Sequence, residues 1–309
     1  MTDMGPLQYC LGIQLLQNAD TSTISISQST YIRSLLRKYN MEYCKGVATP
    51  LLLLSKYKGV ATPLPTTLES VTPTSFDATP TQGFPYAHIL GGIRYPVTCT
   101  RPDIYFVANY LSRFMQQPTT HHIQLLKRLL RYLQHTKDFA LVYRTQSADP
   151  SSLSFIGYSD ADWGGDKISL QSTSSSLYHF AGAALSWQSK KQDRVTLSST
   201  EAEYVAMTQA LKEGMWLEAL LEETTLLPRK PLSLFCDNLS AIILAKNFKH
   251  SEKTKHIALK LQFIRELVQD ESIQLVHVRT QYQWADYLTK SLARAKHEEC
   301  SVHSGLDIS

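Results

Sequence analysis

Four acidic side chains in the second half of this 309-residue sequence stand where carboxylates can do chemistry. Asp160 ends the alternating apolar run that begins at Leu153, Asp237 ends the apolar run Leu232 to Cys236, and loop-forming residues follow each at once. In open α/β sheets, sites gather at the carboxyl ends of strands. Glu203 comes from the start of a long helical pattern and shares a face with the apolar stripe Ala206, Ala210, Gly214, Leu217 and Leu221. Its neighbour Glu201 lies about 200° around the helix at ~100° per residue, so Glu203 is the inward carboxylate. Asp286, at the start of the last helical pattern (Trp284 to Leu292), is the fourth candidate.

Clustered carboxylates repel one another, and their proton affinity rises unless a divalent cation offsets the charge. Two Mg²⁺ ions, with Mn²⁺ as a substitute, satisfy that need. Held about 3.5 to 4 Å apart, they activate a water and stabilise both oxygens of an in-line phosphodiester displacement. Each acid taken singly has a plainer reading, as a turn former, a helix cap or a partner of the helix dipole.

Positioning these acids requires a mixed α/β order. Three strands come first, with a hairpin at Ala181-Gly182-Ala183 between Leu177–Phe180 and Ala184–Trp187. A long helix from Ser198-Ser199-Thr200 to about Glu223 follows, with Thr200-x-x-Glu203 at capping-box spacing. Strand Leu232 to Cys236, a helix from Ser240, a helix from His256 to Gln269 and strand Ile273 to Val278 complete the pattern. Strands joined through helices pair in parallel.

The first half reads differently. The heptapeptide Lys-Gly-Val-Ala-Thr-Pro-Leu at 45–51 recurs unchanged at 58–64, a local duplication, and residues 51–85 form a linker rich in Pro, Thr and Ser. Beyond it, Ile104, Val107, Ala108 and Leu111 fall on one helical face and Leu125, Leu129, Leu130 and Leu133 on another. The expected organisation is therefore 1–50, linker 51–85, a helical segment 86–145, an α/β domain 151–293 and a tail 294–309.

No apolar run approaches the roughly 20 residues that span a bilayer, and the first residues lack a basic and apolar leader, so an intracellular protein, cytoplasmic or nuclear rather than secreted and with no membrane partner, is expected. Five scattered cysteines without a C-x-x-C pair suggest neither a disulfide framework nor a zinc site. The net charge of +4 is compatible with a polyanionic partner without demanding one.

Six blocks carry a family resemblance: Tyr158-Ser159-Asp160-Ala161-Asp162-Trp163, Ser186 to Gln192, Leu197-Ser198-Ser199-Thr200-Glu201-Ala202-Glu203-Tyr204, Cys236-Asp237-Asn238-x-Ser240-Ala241, Lys253-Thr254-Lys255-His256-Ile257 and Ala285-Asp286-x-Leu288-Thr289-Lys290. In this order they resemble the ribonuclease H domain of copia-type retrotransposon Pol polyproteins. The resemblance implies a ribonuclease H-like mixed sheet with flanking helices, Mg²⁺-dependent cleavage of the RNA strand of RNA/DNA hybrids, and a catalytic, metal-binding quartet on Asp160, Glu203, Asp237 and Asp286. Gly5 to Ile13, Ile26 to Ile32, Thr100-Arg101-Pro102-Asp103-Ile104, Leu111 to Met115 and Leu126 to Leu133 are similar to the downstream end of the same polyprotein's reverse transcriptase, implying a smaller, mostly helical thumb or connection remnant. The sequence holds no Tyr-x-Asp-Asp turn, so no DNA synthesis is expected of this chain, and another chain would supply an upstream reverse-transcriptase portion. It departs from the family at Leu170 to Ser175, where a basic residue and a glycine are usual. A catalytically inactive, nucleic-acid-binding remnant is the alternative reading.

A hybrid groove needs cations for phosphates and small polar groups for the 2′-hydroxyl. Lys190, Lys191 and Arg194 before the long helix, with Ser198, Ser199, Asn238 and Ser240 beside the acids, are the candidates. Lys127, Arg128 and Arg131 form a second basic face that could follow a phosphate backbone.

Overall fold

The computed structural model describes residues 7–19, 21–51, 83–144, 154–166, 169–224, 231–246 and 258–308. The second copy of the heptapeptide, nearly all of the linker and the block Lys253 to Ile257 lie outside them. The chain divides into two units, one of residues 1–144 with 291–309 and one of residues 145–290.

In the first unit, strands β1 (Tyr9–Cys10), β2 (Ile13–Asn18) and β3 (Thr23–Ser27) precede helices α1 (Ser29–Lys38), α2 (Tyr86–Cys99), α3 (Tyr105–Ser112) and α4 (Thr120–His135), then β4 (Phe139–Arg144). The expected apolar faces hold: Ile104, Val107, Ala108 and Leu111 of one stripe and Leu125, Leu129, Leu130 and Leu133 of the other are all buried in one core. The unit is mostly helical, as expected, but it also contains a five-stranded antiparallel sheet in the order β1-β2-β3-β4-β10, with β10 at Leu306–Ile308. β2 and β3 interleave polar residues and are little buried, so no apolar run announces them, whereas β4 buries Ala140, Leu141 and Val142. One expectation needs correction: 294–309 is not a tail. It folds as helix α8 (Arg294–His303) and strand β10 (Leu306–Ile308), which pairs Leu306 with Leu141 and buries Cys300 and Leu306. That partner strand is over 160 residues away in sequence, beyond any local pattern.

The basic face of α4 also proves structural. Arg128 donates to Thr49 Oγ1 at 2.8 Å, Arg131 donates to the Lys45 carbonyl at 2.7 Å, and the Lys127 ammonium sits over the Phe84 ring. The two arginines hold the segment that carries the first heptapeptide.

The first unit is locked by one buried ion pair. Arg101, fully buried, donates to both carboxylate oxygens of Asp103 at 2.9 and 2.6 Å, and also to the carbonyl and hydroxyl oxygens of Thr136. Tyr132 Oη donates to Asp103 at 2.7 Å, and the His297 ring nitrogen lies 3.2 Å from the Asp103 carbonyl. The pair therefore ties the end of α2, the end of α4 and α8 together.

In the second unit, β5 (Phe155–Asp162), β6 (Thr173–Phe180) and β7 (Ala183–Lys191) form an antiparallel meander, with Ala181 and Gly182 both at positive φ in the hairpin turn. Helix α5 (Ser199–Glu223) leads to β8 (Leu232–Cys236), α6 (Leu239–Lys246), α7 (Ala258–Gln269) and β9 (Ile273–His277). β8 pairs in parallel with β5 and with β9, so the order is β7-β6-β5-β8-β9. This is the expected ribonuclease H-like mixed sheet with flanking helices. Tyr178 sets the distance between α5 and the sheet. Its fully buried ring crosses β5 at Gly157, where a Cβ would meet Tyr178 Cε1 at 2.4 Å. Its hydroxyl donates to the Ala210 carbonyl at 2.5 Å beside Gly214, where a Cβ would meet Oη at 2.5 Å.

Two local expectations shift. The cap of α5 is Ser198, which accepts from the Glu201 amide at 3.1 Å, while the Glu201 carboxylate accepts from the Leu197 amide at 2.8 Å. The capping spacing is thus Ser198 to Glu201, and Glu203 is left free to face inward. The run Trp284 to Leu292 makes only a short 3-10 turn, Asp286–Leu288. Trp284, Ala285, Tyr287 and Leu288 are all buried, and the segment is pinned to the sheet through Gln283 and the Ala285 carbonyl.

Removing one partner of a buried, hydrogen-bonded ion pair costs about 3–5 kcal/mol, because the other charge stays desolvated. Asp103→Ala is therefore expected to destabilise the first unit by that amount in denaturant titration. A loss below about 1 kcal/mol, the scale of a surface pair, would show that the pair is not the lock.

Candidate active site

Asp160 sits near the end of β5 and is almost fully buried. The segment after β9 is pinned against it. Gln283 Nε2 donates to the Ser159 carbonyl at 2.9 Å, Ser175 Oγ donates to the Ala285 carbonyl at 3.2 Å, and Thr289 Oγ1 donates to Asp160 Oδ2 at 2.5 Å. The 3-10 turn thereby delivers three groups from one short stretch: the Asp286 carboxylate, the Thr289 hydroxyl and the Lys290 ammonium. Lys290 Nζ lies 2.9 Å from Asp286 Oδ1.

Glu203 projects from the beginning of α5 and is also buried. Gln192, at the end of β7, holds this helix start by donating to the Ala202 carbonyl at 2.9 Å and to Ser174 Oγ at 2.8 Å. Cys236, the last residue of β8, points its Sγ at Glu203 Oε2 across 3.9 Å. Asp237 follows it, half-buried, and accepts from Thr280 Oγ1 at 2.9 Å. One donor atom from each of Glu203, Cys236 and Asp237 lies within 4.8 Å of the other two.

The electrostatics show that these acids share one place. Burial raises the Asp160 pKa to about 7; the neighbouring Asp286 and Asp237 charges push the same way, against the pull of Lys290 and the Thr289 hydroxyl. Glu203 is raised to about 10 by burial and by the charges of Asp160 and Asp237. Burial alone would lower Lys290, but the attraction of Asp160 and Asp286 outweighs it and holds the ammonium charged. Burial, and next Glu203, push the Cys236 thiol well up, which keeps it protonated. Carboxylate oxygens that are costly to ionise by themselves form a donor set of the kind hard divalent cations take, so the residues present fit Mg²⁺ or Mn²⁺.

The remaining candidates scatter by role. Ser198 caps α5, and Asn238 caps α6 by accepting from the Ala241 amide at 2.9 Å. Lys191 is ion-paired with Asp166. Lys190, Arg194, Ser199 and Ser240 are exposed. Thr280, Thr289, Lys290 and Cys236 were not singled out from the sequence. Thr289, Lys290 and Cys236 sit inside the resembling blocks, and that adjacency to Asp286 and Asp237 was the available signal; for Thr280 there was none.

No family model matches the chain. It is 38% identical over 309 residues to the Retrovirus-related Pol polyprotein from transposon TNT 1-94 of Nicotiana tabacum, covering 99% of this chain and 22% of the polyprotein. It is 36% identical over 307 residues to the Retrovirus-related Pol polyprotein from transposon RE1 of Arabidopsis thaliana, covering 98% and 19%. The chain belongs to the copia-type retrotransposon Pol polyproteins. It spans about a fifth of the length of these Pol relatives. A solved ribonuclease H1 in complex with an RNA/DNA hybrid is similar at 17% identity, over 44% of this Pol chain and 94% of that one, with a TM-score of 0.31.

The raised carboxylate pKa values link stability to pH. Where an acid binds its proton more tightly folded than unfolded, the folded state carries more protons, and stability falls as pH rises from the unfolded pKa to the folded one. For this Pol segment without metal, the loss runs from near pH 4 to about 7 through Asp160 and on to about 10 through Glu203. Thermal melts in EDTA are expected to fall over that range. Glu203→Gln should flatten the slope above about pH 5, and Mg²⁺ should raise Tm more at high pH than at low. An unchanged slope in the variant would exclude Glu203 as the strained acid.

Proposed function

We propose that the 145–290 unit is a ribonuclease H-type nuclease that cleaves the RNA strand of RNA/DNA hybrids endonucleolytically, using two divalent cations. The observation that carries this reading is that the buried Asp160, Glu203 and Asp286 and the half-buried Asp237, from β5, α5, the turn after β9 and the end of β8, act on one another's charge within a Pol family member. When bound, Mg²⁺, or Mn²⁺ in its place, supplies the activated water and the charge stabilisation that phosphodiester cleavage needs.

The side chains have distinct tasks. The four carboxylates hold the cations. Thr289 and Thr280 fix the rotamers of Asp160 and Asp237 through hydroxyl hydrogen bonds, so these ligands are oriented before substrate arrives. Cys236 and the Asn238 cap hold the loop that carries Asp237. The exposed Lys190 and Arg194 engage backbone phosphates, with Lys191 contributing once released from Asp166, and the exposed Ser199 and Ser240 are the small polar groups available to the 2′-hydroxyl. Ser198 and Asn238 act on substrate through the helix starts they cap. Among the described residues no helix is long and apolar enough to cross a membrane.

The test uses the full chain, because residues 291–309 complete the first unit's sheet. Incubated with a labelled RNA/DNA hybrid and Mg²⁺, it is expected to shorten the RNA strand only. Asp237→Asn should slow cleavage by about two to three orders of magnitude, the scale of losing one group aimed at developing charge. A folded chain that binds the hybrid but leaves it intact in both Mg²⁺ and Mn²⁺ would establish the inactive, nucleic-acid-binding alternative instead.

A further inference from the structure

Lys290 is ion-paired with one of the four site carboxylates. It lies four residues after Asp286 with its ammonium 2.9 Å from that carboxylate, while the side chains are 36% and 6% exposed respectively. Its charge also acts on Asp160, Asp162 and Glu203. A buried carboxylate that stays ionised without a partner is strongly destabilising, and the Lys290 ammonium is the partner that Asp286 has. The acids cannot retreat, because each is fixed to a strand, a helix start or a pinned turn. The lysine can, since its flexible stem already reaches solvent.

We propose that Lys290 is the site's internal counter-ion: its ammonium pairs with Asp286 in the metal-free protein and competes with a divalent cation for that carboxylate. The proposal rests on the divalent-cation reading above. It makes metal uptake an exchange of one positive charge for another. The fold survives without metal, and the affinity for metal is weaker than four carboxylates alone would give.

The experiment measures Mn²⁺ affinity by the electron paramagnetic resonance of free Mn²⁺, with full chain and no nucleic acid, alongside melting temperature in EDTA. Lys290→Gln is expected to bind Mn²⁺ about tenfold more tightly, as removal of one charge at hydrogen-bond range in a partly solvated site implies, and to melt lower in EDTA. Lys290→Arg keeps the charge and should keep the wild-type affinity. Unchanged or weaker Mn²⁺ binding by a folded Lys290→Gln overturns the counter-ion role. If Lys290→Gln does not fold without metal, adding Asp286→Asn restores the charge balance and should restore folding; a double variant that stays unfolded overturns the proposal too. Failure of the wild-type chain to bind Mn²⁺ would instead sink the divalent-cation reading itself.

Discussion

Burying several carboxylates side by side is the constraint on which the second unit turns. Each buried charge costs several kcal/mol unless it is paired, and like charges at close range add to that cost. The structure answers with protonation, hydrogen bonds and one ammonium: Asp160 and Glu203 are pushed toward their neutral forms, Thr289 and Thr280 donate to Asp160 and Asp237, and Lys290 sits against Asp286. In the proposed function, a divalent cation would take over this charge compensation.

The architecture exists to hold that arrangement in place. Parallel pairing of β5 with β8 puts Asp160 and Cys236 near the same end of the sheet, and Asp237 follows Cys236. Tyr178, fitted against two glycines, brings α5 close enough for Glu203 to join them. The stretch from Gln283 to Lys290 is pinned to β5 and β6 through backbone carbonyls, which places Asp286 without a helix. The first unit solves a different problem with the same rule. Its Arg101–Asp103 pair is tolerated in the interior because Thr136 and Tyr132 complete its hydrogen bonds.

Much of this was legible in advance where the signal was local. The period of 3.6 separated Glu203 from Glu201, and the structure buries Glu203 while Glu201 turns back to the Leu197 amide. Apolar runs marked β8 and β9, and Ala181-Gly182 marked the hairpin. In the sheet of the first unit, β2 and β3 interleave polar residues and bury too little to announce themselves, and α8 and β10 were missed because their partners are remote in sequence. The basic face of α4 looked like a phosphate track, whereas Arg128 and Arg131 spend their donors on Thr49 and Lys45.

The sequence by itself determined which carboxylates end strands and start helices, since alternation and helical periodicity are properties of neighbouring residues. It also carried the six ordered blocks that mark the family. Only the tertiary structure decided what surrounds those acids: that the Thr289 hydroxyl orients Asp160, that a thiol lies close to both Glu203 and Asp237, and that the Lys290 ammonium sits against Asp286. Those are contacts between elements far apart along the chain. Packing alone sets their distances, and at such distances the charge, protonation and metal affinity of the site are determined.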